Sequence, residues 1–184
     1  LWLPKDVRWR FFKMQLQSGA YIHLRDQIRD TESLRQHLIR YAPRHIWLSV
    51  SLFLNPQNVG KKIDEKSRNL IMGTTFALES DYEHLEYARR NALKLFDYLE
   101  KHTGKGVSQM LFSGRRGIHC WLDYTVMSDA EAQLMNYRRV FARELEDAGI
   151  KFDKPVFRDC RRVMRVCGSV NGSTGYICQP LTRE

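Results

Sequence analysis

Two amphipathic helices, with strand-like segments before, between and after them, constrain the fold of this chain more than any other feature. Apolar residues recur on one helical face over residues 85–99, and Gly104 follows where a helix commonly ends. A second apolar set recurs over residues 130–145, after a capping box at residues 128–131 (SDAE). Helices that alternate with groups of strands predict one mixed domain of the α+β or α/β class over residues 1–184.

Shorter patterns predict the rest of the secondary structure. Near the start, polar turn residues separate two strand-like segments, which is typical of a hairpin. The predicted elements are, in chain order, a hairpin of residues 11–16 and 21–24, a helix at 31–41 before Pro43, strands at 45–53, 70–78, 107–112 and 118–124, and short strands with a turn at 171–175 within 152–181.

Composition excludes several classes of protein. With 184 residues and 43% hydrophobic content, the chain can bury a core without disulfides. Its cysteines form no C-x-x-C pair and no zinc-ligand spacing, so we expect reduced, mostly core-filling thiols and no structural zinc. They are Cys120, Cys160, Cys167 and Cys178. The sequence has no run of 18 apolar residues and no signal-peptide pattern, so we expect an intracellular protein without a membrane partner. It does not begin with Met, and we expect a piece of a longer protein.

The charge balance points to an anionic partner. The chain has 30 Lys and Arg against 21 Asp and Glu, a formal net charge of +9. Nucleic acids, nucleotides and anionic membranes are the usual partners of such a surplus, whereas a merely soluble basic surface would have the same balance. Charge alone leaves both interpretations open.

Residues 113–119 (SGRRGIH) have the most unusual composition. Two glycines bracket two arginines in a predicted strand-turn-strand, so the backbone can approach a ligand closely. Adjacent guanidinium groups supply forked donors that suit phosphate oxygens. Ser113 and His119 could add two further contacts to a phosphate. The competing interpretation is a solvated basic hairpin tip.

Acidic residues follow an apolar strand at residues 76–81 (FALESD). Strand alternation places Ala77, Glu79 and Asp81 on one face. Carboxylates at a strand end beside a cleft can hold a divalent metal ion. They could instead cap the following helix, an interpretation that suits Asp81 better than Glu79.

Residues 151–165 contain six basic and two acidic residues. Carboxylates among arginines are typical of a site where a metal ion and phosphates meet, although a surface network of ion pairs would have the same pattern. With the two segments above, this one completes a set suited to phosphoryl or nucleotidyl transfer. The sequence has neither a G-x-x-x-x-G-K-[ST] loop nor the zinc-deaminase signature, which excludes those two enzyme classes.

Residues 112–121 (FSGRRGIHCW) resemble the nucleotide-binding motif of the archaeo-eukaryotic primase small subunit. The similarity extends over nearly the whole chain. Residues 9–12 (WRFF) with 21–25 (YIHLR) resemble the N-terminal hairpin of that family, 42–53 its next strand, and 165–175 (RVCGSVNGSTG) its C-terminal signature. The resemblance implies an α/β primase catalytic core with a sheet like that of an RNA-recognition motif. In one respect the chain departs from that family: the segment between Asp81 and Phe112 contains one predicted helix, where cellular primases often insert a zinc knuckle.

The resemblance implies a role for each residue that matches a family motif. The nucleotide-binding residues would be Ser113, Arg115, Arg116, His119, Arg165 and Asn171. Glu79 and Asp153 would be the catalytic, metal-binding carboxylates, and Ala77 stands where the family has its first aspartate. Asn171 replaces the usual histidine, so it can donate a hydrogen bond but cannot carry charge.

Ala77 departs from the family pattern because alanine cannot bind a metal ion. Either Glu79 and Asp81 make the metal-binding pair in a shifted register, or the chain is a catalytically disabled variant. An introduced Asp-to-Ala change would produce such a variant.

The function implied by the resemblance is template-directed nucleotidyl transfer, in which nucleoside triphosphates make or extend primers on a DNA template. Two Mg²⁺ or Mn²⁺ ions would be the cofactors, and other replication or repair domains of a longer protein would be partners. Glu79 and the missing zinc knuckle favour a primase-polymerase over a replicative primase subunit. Two alternatives remain, a non-catalytic nucleotide- or nucleic-acid-binding module of the same fold and an end-joining repair polymerase.

Three further arginines have two interpretations each. Arg10, Arg161 and Arg162 either contact phosphates of template or primer or form surface ion pairs. Trp47 and Trp121 lie in predicted strands, and we expect both to be core residues rather than platforms for stacked bases.

Overall fold

The structure, a computed structural model, describes residues 3–24, 26–59, 71–81, 84–104, 106–128 and 130–183. Three residues of the predicted motifs, Arg25, Leu70 and Asp129, lie outside the described residues. The strands are β1 (Phe12–Gln15), β2 (Tyr21–His23), β3 (His45–Ser49), β4 (Ser51–Phe53), β5 (Ile71–Asp81), β6 (Val107–Phe112), β7 (Gly117–Met127), β8 (Val163–Arg165) and β9 (Gln179–Pro180). The α-helices are α1 (Thr31–Tyr41), α2 (Leu85–Thr103), α3 (Glu131–Asp147) and α4 (Lys154–Arg158).

The described strands form two antiparallel sheets. The first has the order β2-β1-β3-β8, and the second has the order β4-β5-β7-β6-β9. β5 and β7 form the centre of the second sheet, where Glu79 lies opposite His119 and Asp81 opposite Gly117. This register brings residues of two predicted motifs side by side.

Side-chain alternation along β5 separates two parts of the core. Phe76 and Leu78 pack in the cluster that contains the apolar faces of α2 and α3. Ala77, between them, packs in the cluster shared with the first sheet, which also contains Trp121. Glu79, two residues further on, therefore lies on the side of β5 that faces the first sheet, as the alternation predicted.

Both long helices form where the sequence predicted them, although Leu85 and Tyr137 of the predicted apolar faces are exposed. The buried residues of α2 include Ala88, Ala92 and Leu95, and Gly104 ends the helix at φ +62°. α1 also has the predicted bounds, and a capping box between Asp30 and Ser33 starts it. Among the helices that the structure describes, none combines the length and the hydropathy required to span a bilayer.

Three details differ from the sequence predictions. The strand predicted at residues 45–53 is divided between the two sheets, because β3 ends at Ser49 and β4 begins at Ser51. The predicted capping box does not form in the described residues: Ala130 is the N-cap of α3, without a side-chain cap bond, and the Ser128 hydroxyl donates to Gln133 Oε1 at 2.6 Å. The short helix α4 was not predicted.

The four cysteines are buried free thiols, as predicted. Burial raises the pKa of Cys120 to about 12, so this thiol stays protonated at neutral pH and acts as a small apolar core residue.

Candidate functional site

A cleft of about 220 Å³ lies where the two sheets meet. β5 and β7 of the second sheet form one wall, and the segment through β8 forms the other. Nine of the predicted site residues line it: Glu79, Asp81, Ser113, Arg115, Arg116, His119, Arg162, Arg165 and Asn171. Segments far apart in the sequence thus converge on one polar cavity.

The turn between β6 and β7 forms the floor of the cleft. Ser113 N donates to Gly117 O at 2.9 Å, and Gly117 N donates to Ser113 Oγ at 3.2 Å. Gly114 has φ +82°, and a Cβ there would lie 2.8 Å from Asn171 Cβ and 2.9 Å from Tyr176 O. Glycine is therefore required at position 114 for two reasons: the backbone has a positive φ, and neighbouring atoms leave no room for a Cβ.

A second loop supports this turn from the C-terminal segment. Thr174 Oγ1 donates to Gly114 O at 2.5 Å, and Asn171 Nδ2 donates to Ser113 O at 3.4 Å. Ser173 N donates to Asn171 Oδ1 at 3.1 Å. The Asn171 side chain, only 5% exposed, therefore holds two loops together at the edge of the cleft.

Glu79 is the carboxylate in the wall of the cleft. Its Oε1 lies 3.4 Å from His119 Nε2, and its Oε2 lies 3.9 Å from Arg162 Nη2. Burial by itself raises the pKa of Glu79, but His119, Arg162 and Arg165 together lower it below its ordinary value. Glu79 is therefore ionised at neutral pH and balances part of the positive charge around it.

The two ring nitrogens of His119 have different surroundings, because Nε2 contacts Glu79 and Nδ1 does not. The His119 side chain is 4% exposed and lines the cleft. Nδ1 is buried and has no hydrogen-bond partner within the described part of the chain. A buried nitrogen of this kind is costly unless a ligand or water satisfies it.

Asp81 and Arg116 form an ion pair at the rim. Arg116 Nε donates to Asp81 Oδ1 at 2.8 Å, and Nη2 donates to Oδ2 at 3.3 Å. Both side chains are partly exposed. Arg116 can leave this pair for an anionic ligand at a small cost, since exposed pairs contribute little to stability.

Asp153 lies beside Glu79 through the main chain. Asp153 N donates to Glu79 O at 2.8 Å, and Asp153 Oδ1 accepts from Val156 N at 3.0 Å as the N-cap of α4. Ala77, at the position of the family's first aspartate, is 2% exposed and packs in the core.

Of the two predicted metal-binding carboxylates, Glu79 lines the cleft and Asp153 does not. No group of three or more His, Cys, Asp or Glu residues close enough to hold a metal ion occurs among the described residues. Mg²⁺, however, is commonly held by one or two carboxylates together with substrate phosphates. Glu79 and Asp153 supply oxygen donors of that type, whereas Ala77 supplies none.

Two of the predicted phosphate contacts lie elsewhere. Arg10 is 2% exposed and donates to Ser49 O, Val50 O and Asp6. The interpretation of Arg10 as a phosphate contact is therefore wrong, and Arg10 is a buried structural residue. Arg161 pairs with Glu131 at 3.0 Å on the surface. Of these three arginines, Arg162 is the one that lines the cleft.

Sequence reasoning missed Trp47 as a cleft residue. Trp121 is buried as expected, but Trp47 is only partly buried and lines the cleft. Arg165 lies over its ring at 5.5 Å, and His45 stacks on it at 5.2 Å. The register Trp47 opposite Arg165 brings these side chains together, and no local sequence signal indicates it.

Comparison with known proteins finds similar sequences among DNA primase small subunits. No protein-family model matches the chain. The DNA primase small subunit PriS of Pyrobaculum calidifontis is 24% identical in an alignment 230 residues long. The alignment covers 96% of this chain and 72% of that protein. PriS of Methanosarcina acetivorans is 25% identical over 195 residues, covering 91% of this chain and 45% of that protein.

A solved structure shows the fold. The polymerase domain of Mycobacterium tuberculosis Ligase D, in complex with DNA, matches with a TM-score of 0.62 and 13% identity, over 97% of this chain and 75% of that one. This match confirms the predicted fold class. The chain is thus similar in sequence to DNA primase small subunits along nearly its whole length, and it has the fold of the Ligase D polymerase domain.

Proposed function

We propose that this chain is a primase-type nucleotidyltransferase domain of DNA replication. It binds a nucleoside triphosphate in the cleft and joins the nucleotide to a primer on a DNA template. The observation that carries the proposal is the cleft itself, which is lined by Arg115 and Arg116 from the β6–β7 turn, by Arg162 and Arg165 from the segment through β8, and by the carboxylates of Glu79 and Asp81.

The chain's own groups suit a triphosphate. Arg116 and Arg165 present guanidinium groups whose geometry matches phosphate oxygens. Ser113 and His119 line the same cleft and would add contacts at its floor. Held in this way, the α-phosphate is oriented for in-line attack by a primer 3′-oxygen, and pyrophosphate leaves with the electrons of the broken bond.

Glu79 and Asp153 would hold a divalent ion in the presence of the triphosphate. Such an ion, when bound, neutralises charge that develops on the attacking and leaving oxygens. An aspartate at position 77 would add a carboxylate two residues before Glu79 on the same face of β5, although Ala77 itself is 2% exposed and does not line the cleft. Asp81 is the alternative partner of Glu79, since both line the cleft.

The experiment compares primer extension by the native chain, Ala77→Asp and Ala77→Asn, with Mn²⁺ and labelled nucleotides. We expect Ala77→Asp to incorporate at least tenfold faster than the native chain, because it restores a carboxylate at the reacting phosphate. Ala77→Asn has nearly the same shape without the charge and should not gain activity. Circular dichroism checks that both variants fold, because residue 77 is packed in the core.

The second candidate, a binding module without catalysis, rests on Ala77. It predicts triphosphate binding by the native chain but no incorporation by Ala77→Asp. No triphosphate binding by the native chain would contradict both candidates.

A further inference from the structure

The four-stranded sheet has one apolar face and one aromatic, basic face. Phe12 and Met14 of β1 are buried in the core, whereas Lys13 between them is only partly buried. In β3, Trp47 is the partly buried residue between buried Ile46 and Leu48. Alternation therefore places Lys13 and Trp47 on the face that points away from the core.

The side chains of this second face contact one another across all four strands. Lys13 Nζ lies 4.5 Å from the centre of the Tyr21 ring, and the rings of Tyr21 and Trp47 are 6.1 Å apart at 30°. His45 Nδ1 lies 2.9 Å from Arg165 Nη1, and both groups contact Trp47. We name this set, Lys13, Tyr21, His45, Trp47 and Arg165, the aromatic sheet face.

Position and charge indicate what this surface binds. Trp47 and Arg165 also line the cleft, so the surface runs directly out of the candidate nucleotide site. Tyr21, at the far side, is 57% exposed. The set contains two basic side chains, Lys13 and Arg165, and no carboxylate.

We propose that the aromatic sheet face binds unpaired bases of single-stranded nucleic acid next to the cleft. Aromatic rings stack on the π-face of any base, and neighbouring cations hold the phosphates of the strand. The inference rests on the proposed function in one respect: the bound strand would be the template that leads into the cleft.

The test separates base stacking from charge attraction. Fluorescence anisotropy measures the affinity of native chain and Tyr21→Ala for a labelled 12-nucleotide thymidine strand and for an abasic strand of equal length. We expect Tyr21→Ala to weaken binding of the thymidine strand about tenfold, because one stacking contact is lost. The abasic strand offers no ring to stack, so its affinity should change less than twofold.

Matched variants exclude a general surface effect. Tyr87 on α2 is also 57% exposed, and Tyr87→Ala should leave both affinities unchanged. Tyr21→Phe keeps the ring and should bind like the native chain. A strand of uridine ribonucleotides should respond to Tyr21→Ala as the thymidine strand does, since both present a π-face, and a blunt duplex should not.

Two outcomes would overturn the inference. Equal losses on thymidine and abasic strands would show that Tyr21 acts only through the position of Lys13. No loss on either strand would show that bases do not reach this face. Triphosphate binding, measured in parallel, should not change in Tyr21→Ala, because Tyr21 does not line the cleft. If the native chain bound no triphosphate, that result would refute the proposed function but not the stacking site.

Discussion

At the scale of single residues, Glu79 is the group whose charge the cleft depends on. It lies between His119 and Arg162, and Arg165 also contributes to its low pKa. Without this carboxylate the arginines would repel one another at short range. Glu79 therefore stabilises the empty cleft and is also a candidate metal ligand.

The lowered pKa of Glu79 makes a prediction about stability. A carboxyl group whose pKa is lower in the folded chain stabilises the fold above its unfolded pKa, here near 4.5, and loses that contribution as pH falls through its folded pKa. We therefore expect the native chain to resist urea better than Glu79→Gln at pH 7, with a difference that shrinks below about pH 4. A difference that is the same at pH 7 and pH 3 would contradict this assignment.

The sequence predicted which residues line the cleft where the signal is local. Residues 113–119 form a tight turn and the start of β7, so the motif already places Ser113, Arg116 and His119 near one another, and strand alternation suffices for Glu79. Arg10 and Trp47 could not be placed in this way. Arg10 is buried against the carbonyls of Ser49 and Val50, 39 and 40 residues away, and the position of Trp47 depends on the pairing of β3 with β8.

At the scale of elements, the cleft depends on two loops that interlock. Gly114 fits under Asn171 and Tyr176, and Thr174 binds the Gly114 carbonyl. The turn that carries Ser113 and the arginines is therefore fixed by residues some 60 positions away. Preorganised loops of this kind bind phosphates without first having to become ordered.

Gly114→Ala should disturb both the fold and the ligand site. An added Cβ would lie 2.8 Å from Asn171 Cβ and 2.9 Å from Tyr176 O, so the two loops must separate. We expect a loss of stability greater than the roughly 1 kcal/mol that a positive φ costs an alanine. Triphosphate affinity, measured by calorimetry, should fall about tenfold as the loops part.

Gly19 offers the matched control for this change. It has a similar φ of +86°, and nothing lies within 4 Å of an added Cβ. Gly19→Ala should therefore show the backbone cost alone, with unchanged triphosphate affinity. If both variants bound triphosphate equally well, the contact between the two loops would not shape the site.

The division of one predicted strand into β3 and β4 also belongs to this scale. Residues 45–53 are uniformly apolar or strand-forming, so composition cannot show where the chain passes from one sheet to the other. The passage depends on distant partners: Val50 N donates to Arg162 O at 2.9 Å, and Thr75 N donates to Val50 O at 3.0 Å. α4 was missed because five residues carry too little periodicity to recognise.

At the scale of the whole molecule, two buried arginines join the layers. Arg138 of α3 is fully buried and donates to Phe157 O of α4 and to Thr75 O of β5 at 2.9 Å; burial lowers its pKa to about 10. Arg10 donates to Ser49 O, at the end of β3, and to Thr75 Oγ1 of β5. Part of the positive surplus of the sequence is therefore structural and does not face a partner.

This division of the charge predicts different outcomes for two arginine substitutions. Arg10→Gln removes a buried guanidinium and leaves carbonyl groups and Asp6 unpaired, so the free energy of unfolding should fall by about 3 kcal/mol. Its affinity for single-stranded DNA should depend on salt as the native affinity does. Arg162→Ala should cost little stability but lower the slope of log affinity against log salt by about 0.7 for one lost phosphate contact.

Arg10→Lys distinguishes structural from electrostatic roles further. A lysine keeps the charge but cannot reproduce the forked donors that reach Asp6 and the two carbonyls. If Arg10 is structural, Arg10→Lys should recover only part of the stability that Arg10→Gln loses, as measured by urea unfolding. At salt concentrations where the variant is folded, it should bind single-stranded DNA with the affinity of the native chain. If Arg10→Gln instead lowers the salt slope and Arg10→Lys restores it, Arg10 contacts phosphate and the two sheets must open to expose it. Arg8 is exposed, and its guanidinium lies over the Trp9 ring. Arg8→Gln therefore provides the reference for a charge change that breaks no buried hydrogen bond.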